Sequence, residues 1–442
     1  MLSRITNEVA VLACLLALFA CRATLASAIV PPWQGPDEPG HFIPALALAA
    51  PPTGESMDVL QAQVLESMGK HRWWEPYGGR TPDPLPTLFS VANERLSIAT
   101  YSQPVYYGLA ALVLQLPPTP NLENAYWRLR LLSIVMALGT LGLGWAGTRL
   151  LFDGTVAIGA TTIAALHPQF LLTAISVNPD ALVIFLGAFT WWLMACVIQG
   201  RRVEMSLLLL CVIAATAVMT KRNSAPFAMA AGIFVLAVLL KGMVRGLPRR
   251  TLVAIGVLPV VAAIILLKVL PAFGTVTSQF AILWRSGLLI RRPLEQAALA
   301  HVVEYARISI DYVWLVAGWL RFNPPEPWLW IVRVMTVVGF GSAVVVTVRV
   351  PELRRPLSIA WLLVIVQSAA VVSWGFWTLQ SPQGRYHFPV IAPATALLWL
   401  GLTHAAPPRV QPYVAPLLIG LLAVMDVTGF ATVLVPAYLP WG

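Results

Sequence analysis

Long apolar runs separated by short polar connections dominate this chain, with almost no two-residue alternation. A helix that spans a bilayer needs roughly 20 apolar residues, and about eleven such runs follow one another. They cover 9–30, 127–150, 156–172, 180–198, 205–220, 225–240, 252–270, 328–348, 357–377, 387–404 and 413–436. Membrane-spanning strands would alternate apolar and polar positions, which these runs do not. Continuous runs that satisfy their own backbone in lipid are helices. The expected fold class is therefore all-α, a polytopic transmembrane helical protein forming a single integral membrane domain over 1–442.

Two stretches interrupt the pattern, 31–124 and 271–327, and read as long outer loops. Within the first, 41–50 and 57–68 have helical character. The segment 101–116 is apolar but too short to span, which predicts an interfacial or re-entrant helix. Within the second, 302–320 approaches spanning length but carries Glu304, Arg307 and Asp311, which predicts a surface helix.

Composition supports this reading: 58% of residues are hydrophobic and 11% charged, whereas soluble domains carry about 25% charge. The net charge of +10 does not indicate nucleic-acid binding, because the basic residues fall mostly between spans. With a cytoplasmic N-terminus, every inner connection is basic: Arg149, Arg201/Arg202, Lys241/Arg245/Arg249/Arg250, Arg349/Arg354/Arg355 and Arg409. The C-terminus is then outside. Counting 302–320 as a span would place Arg349–Arg355 outside, against the same rule. Cys14, Cys21, Cys196 and Cys211 lie inside apolar runs, without zinc spacing or a disulfide framework. Arg4 and the small residues Ala26-Ser27-Ala28 also fit a cleaved signal peptide. The first apolar run is longer than a usual signal core, so an uncleaved first span is expected.

Chemistry concentrates on the outer face. Asp37 and Glu38 follow the first span inside Pro36-Asp37-Glu38-Pro39-Gly40-His41-Phe42. A base that deprotonates an attacking hydroxyl is a carboxylate or histidine within hydrogen-bond reach. Helix capping explains one acid of such a pair well and two poorly. Asp180, in Asn178-Pro179-Asp180, opens a span at the same face, where either residue also suits a cap. Lys221, Arg222 and Arg385 lie in outer connections that violate the basic-inside pattern. A bound anion accounts for such exceptions, since both side chains grip phosphate oxygens; snorkelling to headgroups is the alternative. Gly384 beside Arg385 permits close backbone approach. His41, His167 and His387 fall on the outer side near acids, so a divalent cation on Asp37, Glu38, His41 and Asp180 is a candidate, although no metal motif is present. Arg22 and Asp426 lie inside the first and last spans, positioned to pair with other spans or to line a polar cavity.

These stretches together resemble one family. Pro36-Asp37-Glu38-Pro39-Gly40-His41-Phe42 resembles the P-D-E-P-x-H-F hallmark of a bacterial membrane-protein family catalogued as a domain of unknown function, grouped with the GT-C superfamily of membrane glycosyltransferases. Tyr101-Ser102-Gln103-Pro104-Val105-Tyr106-Tyr107, His167-Pro168-Gln169-Phe170, Asn178-Pro179-Asp180-Ala181-Leu182 and Gln383-Gly384-Arg385-Tyr386-His387-Phe388-Pro389 extend the resemblance over nearly the whole chain. It implies a GT-C-like fold and a polyprenyl-phosphate sugar donor used outside the bacterial cytoplasmic (inner) membrane, with a glycan, lipid or protein acceptor. The acidic pair of the first outer loop matches Asp37-Glu38, and the second acid matches Asp180. Tyr386, His41 and Tyr106 join Lys221, Arg222 and Arg385 as expected phosphate or substrate contacts. The expected partners are thus the donor, the acceptor and the bilayer, with no nucleic acid. The expected activity is inverting transfer through an oxocarbenium-like transition state. Two rival classes are a transporter or flippase for a lipid-linked sugar and a non-catalytic envelope assembly protein. Transporters place charges near the midplane, among internal repeats, whereas here the charges cluster at one face.

Overall fold

The computed structural model describes residues 2–49, 57–93, 96–98, 104–116, 121–240, 299–378 and 383–439. The span expected at 252–270, the basic cluster Lys241–Arg250, Tyr101 to Gln103 and the first part of the second outer loop lie outside these residues. The helices are α1 (Leu2–Ile29), α2 (Glu38–Ala49), α3 (Met57–Lys70), α4 (Phe89–Ala92), α5 (Pro104–Gln115), α6 (Leu122–Leu151), α7 (Gly154–Leu166), α8 (Pro168–Ala174), α9 (Asp180–Ile198), α10 (Val203–Thr220) and α11 (Ala225–Leu240). They continue as α12 (Leu299–Trp314), α13 (Glu326–Arg349), α14 (Pro351–Thr378), α15 (Ile391–Ala405) and α16 (Gln411–Gly429), the last running on through Phe430–Leu434 into a final turn, Val435–Tyr438. No named strand occurs among the described residues.

Nine described helices are long and apolar enough to cross a membrane. The tenth expected span is a bent pair: α7 and α8 meet at 67°. Pro168 lacks the N–H that would continue α7, so the 156–172 run breaks there. These ten elements match ten of the eleven apolar runs, and the chain is a multi-pass membrane protein. Its helices expose large apolar side chains outward, among them Leu131, Val135, Leu236, Val337 and Leu417. A helix apolar on both faces suits lipid outside and protein inside. Within the 101–116 segment Pro104–Gln115 form the short helix α5, and 302–320 is the rest of α12 followed by a turn.

Inside the bundle, α6 packs along α9, α13 along α15, and α11 against α14. Buried side chains from α1 through to the C-terminal turn form one cluster. The two intramembrane charges pair with each other. Arg22 of α1 donates from Nε to Asp426 Oδ2 of α16 at 2.8 Å, and a second guanidinium nitrogen contacts Asp426 Oδ1. The same guanidinium reaches the Ala165 and Leu166 carbonyls. These oxygens end α7 where Pro168 breaks the ladder, so Arg22 satisfies backbone groups that lipid cannot. At the far end of α1, Glu8 accepts from Arg149 Nε of α6 at 2.7 Å.

Removing one member of a buried pair leaves an uncompensated charge, at about 3–5 kcal/mol. Arg22→Met is expected to lower thermal stability in detergent by that order, and Arg22→Met/Asp426→Leu to recover most of it. Equal melting of the single and double variants would contradict the pairing.

Candidate active site

The acidic loop is built by a reciprocal hydrogen-bond ring at the start of α2. Gly35 N–H donates to Glu38 Oε2 at 2.8 Å, and Glu38 N–H donates back to the Gly35 carbonyl at 3.3 Å. This has the logic of a capping box, with a carboxylate closing on the backbone three residues earlier. A Cβ on Gly35 would stand 2.6 Å from both Glu38 Cδ and Ser176 Oγ, so only glycine fits. Glu38 Oε1 accepts from Val177 N–H at 2.8 Å and from the Tyr126 hydroxyl at 3.0 Å. Glu38 is fully buried. It therefore locks the loop before α2 onto the α8–α9 turn and onto α6, and presents no free oxygen to a substrate.

Asp37 differs from its neighbour. Its φ is +66°, a left-handed conformation uncommon for a non-glycine residue. Its backbone carbonyl accepts the first bond of α2, from His41 N–H at 3.0 Å, so Asp37 stands at the helix start. Its carboxylate instead turns to Arg385, whose guanidinium donates to Oδ2 at 2.6 Å. The Asp37 side chain is 46% exposed, against 0% for the Glu38 residue. The two carboxylates are not interchangeable, and only Asp37 is open. Burial raises its pKa, but Arg385, with Lys221 behind it, holds it below the ordinary carboxylate value.

Asp180 completes the acids. Asn178 closes the turn before α9, its Oδ1 accepting from Asp180 N–H at 2.9 Å, and Pro179 stands at the helix N-cap. That frees the Asp180 carboxylate, which meets Lys221 Nζ at 2.7 Å and lies 3.2 Å from Arg385 Nε. The second contact is an ion pair rather than a hydrogen bond, since Asp180 Oδ2 is buried with no hydrogen-bond donor aligned on it. Lys221 also donates to Asn178 Oδ1 at 3.2 Å. Arg385 is completed by the Pro36 carbonyl at 3.2 Å and Gln383 Oε1 at 2.9 Å. Asp37, Arg385, Asp180 and Lys221 thus form one alternating chain of charges. Tyr386 lies beside it, its ring centroid 5.3 Å from Lys221 Nζ and 5.5 Å from the Arg385 guanidinium.

The remaining expected residues fall unequally. His41 Nδ1 is 2.8 Å from the Tyr107 hydroxyl, and burial together with Lys221 pushes the imidazole down to about 3. Tyr106 is fully buried against Tyr107 and faces the core rather than an open site. Arg222 is exposed and makes no ion pair with either acid. His167 caps α8, accepting from Phe170 N–H at 3.4 Å, and stacks on Trp314, away from the acids. His387 sits against Ser368 Oγ. The expected cation site does not fit: Glu38 is spent on backbone and tyrosine donors, and Arg385 and Lys221 already balance the charges of Asp37 and Asp180. No group of three potential ligands gathers among the described residues.

Several framework residues carry little sequence signal. Gln367, fully buried in α14, donates to the Tyr386 carbonyl at 2.7 Å and the Asn223 carbonyl at 3.0 Å, and accepts from Phe227 N–H at 3.1 Å. One amide therefore ties together the two loops that carry Lys221 and Arg385. A lone glutamine inside an apolar run was its only trace. Arg130, 1% exposed, holds the carbonyls of Ser27 and Val30 that end α1. Gly384 passes so close to Tyr312 that a Cβ would collide with its carbonyl oxygen. A cleft of about 40 Å³ lies behind the charges, where Gln34, Asn178, Arg385 and Tyr438 meet. Tyr438 of the C-terminal turn thus shares a cleft with Arg385.

The family model of dolichyl-phosphate-mannose-protein mannosyltransferases matches residues 104–267. The crystal structure of the Archaeoglobus fulgidus oligosaccharyltransferase in its apo form is similar over 96% of this chain and 55% of its own, at 12% identity and a TM-score of 0.50. This chain is related to the GT-C superfamily. The same archaeal enzyme, tethered by a disulfide bond to an acceptor peptide containing the NVT sequon, aligns over 94% of this chain and 55% of its own, at 12% identity and a TM-score of 0.47. The chain spans little more than half the length of these structures. No curated protein matches it. The GT-C relation agrees with the helical membrane fold expected from the sequence.

Glu38→Gln would place an amide N–H₂ against groups that now donate to a carboxylate, at about 1–3 kcal/mol. It is expected to lower the melting temperature more than Asp37→Asn, whose side chain is half open. The reverse order would contradict the division between a structural and an open carboxylate.

Proposed function

We propose that this protein is a glycosyltransferase that moves a sugar from a polyprenyl-phosphate donor to a hydroxyl-bearing acceptor, with Asp37 as the general base. The observation that carries this reading is the inequality of the paired acids: Glu38 is buried and fully bonded, while Asp37 is open and held ionised beside Arg385. The relation to the GT-C superfamily supplies the reaction class. The similar archaeal protein is an oligosaccharyltransferase, crystallised also with a tethered acceptor peptide, and those properties belong to that enzyme.

In the proposed step the acceptor hydroxyl donates a hydrogen bond to Asp37. Its oxygen attacks the anomeric carbon as the bond from that carbon to the phosphate oxygen breaks. The proton passes to Asp37, and the polyprenyl phosphate leaves with the bonding electrons. Attack opposite the leaving group inverts the anomeric centre. Lys221 is the cation placed for the leaving phosphate, because it is tethered to Asp180 and Asn178 yet retains some exposure. The phosphate would share it with Asp180, so charge compensation is in place before bond breaking. Arg222, exposed on the same loop, adds an outer positive charge. Asp180 acts as a positioning residue that fixes Lys221 and Arg385, and His41 stays neutral. The acceptor acts on the face expected to be the outer one, in a bacterial inner membrane.

A positioned general base contributes about 10²–10⁴-fold. Asp37→Asn is expected to reduce transfer from a polyprenyl-phosphate sugar by that order in purified protein, read by mass spectrometry, while the variant still folds. Wild-type rates in that variant would overturn the assignment. Asp180→Asn is expected to cost both rate and stability, because Lys221 and Arg385 lose their shared partner.

The pH dependence follows from the sign of the shift. The folded pKa of Asp37 is depressed, so its basic form persists above that value and is lost only as pH falls through it. Transfer is therefore expected to show no acid limb between pH 8 and 5. A half-maximal point near pH 6 would point to a different base.

A further inference from the structure

The helix ends opposite the acid site hold a second cleft, of about 680 Å³, between α6, α9 and α10. Its walls are apolar, with Trp145 from α6, Trp192 and Leu193 from α9, and Met205 and Leu209 from α10. Its mouth is basic: Arg149, Arg201 and Arg202 line it. These charges are not equivalent. Arg149 donates to Glu8 at 2.7 Å and is compensated. Arg201 and Arg202 are exposed and form no ion pair with a carboxylate among the described residues. The turn that carries them is unusual, since Gly200 and the non-glycine Arg202 both have positive φ, +68° and +44°. That turn brings two uncompensated guanidiniums to the mouth of an otherwise apolar cleft.

An apolar interior with a cationic mouth, at the end of membrane-spanning helices, matches an amphiphile whose chains enter and whose anionic head stays at the interface. Arginine forks bind phosphate oxygens in pairs, and indoles favour this depth. We infer that this cleft binds an anionic glycerophospholipid with two phosphates, of the cardiolipin type, one phosphate to each of Arg201 and Arg202. Charge complementarity selects this occupant over a zwitterionic lipid, because two positive charges have no carboxylate partner among the described residues. Basic clefts between spanning helices are a known setting for such head groups. The site is separate from the acid site and independent of the proposed transfer.

The test is lipid binding to the purified full chain in detergent, read by native mass spectrometry with cardiolipin, phosphatidylglycerol and phosphatidylcholine as probes. Wild type is expected to hold cardiolipin most tightly. Arg201→Ala/Arg202→Ala is expected to weaken it by about tenfold or more. Both residues are exposed, so the variant is expected to melt as wild type does without lipid. Arg354→Ala/Arg355→Ala, near the start of α14, serves as a control for basic charge at large and is expected to leave cardiolipin binding unchanged. Three results would overturn the inference: unchanged binding in the Arg201/Arg202 variant, an equal loss in the control, or displacement of cardiolipin by an equimolar polyprenyl monophosphate.

Discussion

The structure around the candidate site depends on one constraint: two carboxylates and two cations must balance in a place with little water. Asp37, Arg385, Asp180 and Lys221 alternate in sign, with contacts of 2.6, 3.2 and 2.7 Å. Arg385 is 6% exposed, so its charge is sustained by these partners rather than by solvent. The four residues come from four separate segments, so the ion pairs also join the loop before α2 to the ends of α9, α10 and the approach to α15. Much of the local architecture serves to bring these segments together. Glu38 fixes the loop against the α8–α9 turn, Gln367 fixes the two basic loops, and Gly384 allows its segment to pass against Tyr312.

Within that arrangement the adjacent acids have separate duties. A carboxylate that accepts from two backbone N–H groups and a tyrosine is a structural tie, and its burial excludes it from proton transfer with an acceptor. Its neighbour carries backbone strain at φ +66° and remains half open. Strained backbone held by a well-bonded frame is where reactive groups are found. The basic residues are likewise not free anion traps. Each already holds an acid, so the four charges balance within the protein. Under the proposed transfer, an incoming phosphate would compete with Asp180 for Lys221, and the carboxylates would limit how tightly product phosphate is kept.

Away from the site, the fold handles its other intramembrane charges by the same rule. Arg22 meets both Asp426 and the carbonyls freed by Pro168, so a helix break and a buried acid are satisfied by one guanidinium. Arg130 does the equivalent for the end of α1. The far end of the bundle departs from this economy. There Arg201 and Arg202 form no ion pair among the described residues and line a cleft with apolar walls, the sense in which the two ends differ chemically.

The sequence by itself determined the helices. Ten apolar runs reappear as spans because burial in lipid demands continuous apolar length, a local property of the chain. It also put Asp37, Asp180, Lys221 and Arg385 at connections on the same side of the membrane pattern, and the four side chains converge. What only the tertiary structure decided was how they pair. That Glu38 is consumed by Val177 and Tyr126, that the Asp180 carboxylate is taken by Lys221, that Tyr106 is buried and Arg222 lies outside the ion pairs all depend on contacts between residues far apart in the chain. The bend at His167–Pro168 has the same origin. Its proline was visible in sequence, but the break becomes tolerable only because Arg22, from another helix, satisfies the carbonyls it exposes. Hydrophobic length is written along the chain, whereas the partner of a buried polar group is set by whichever segment folding brings beside it.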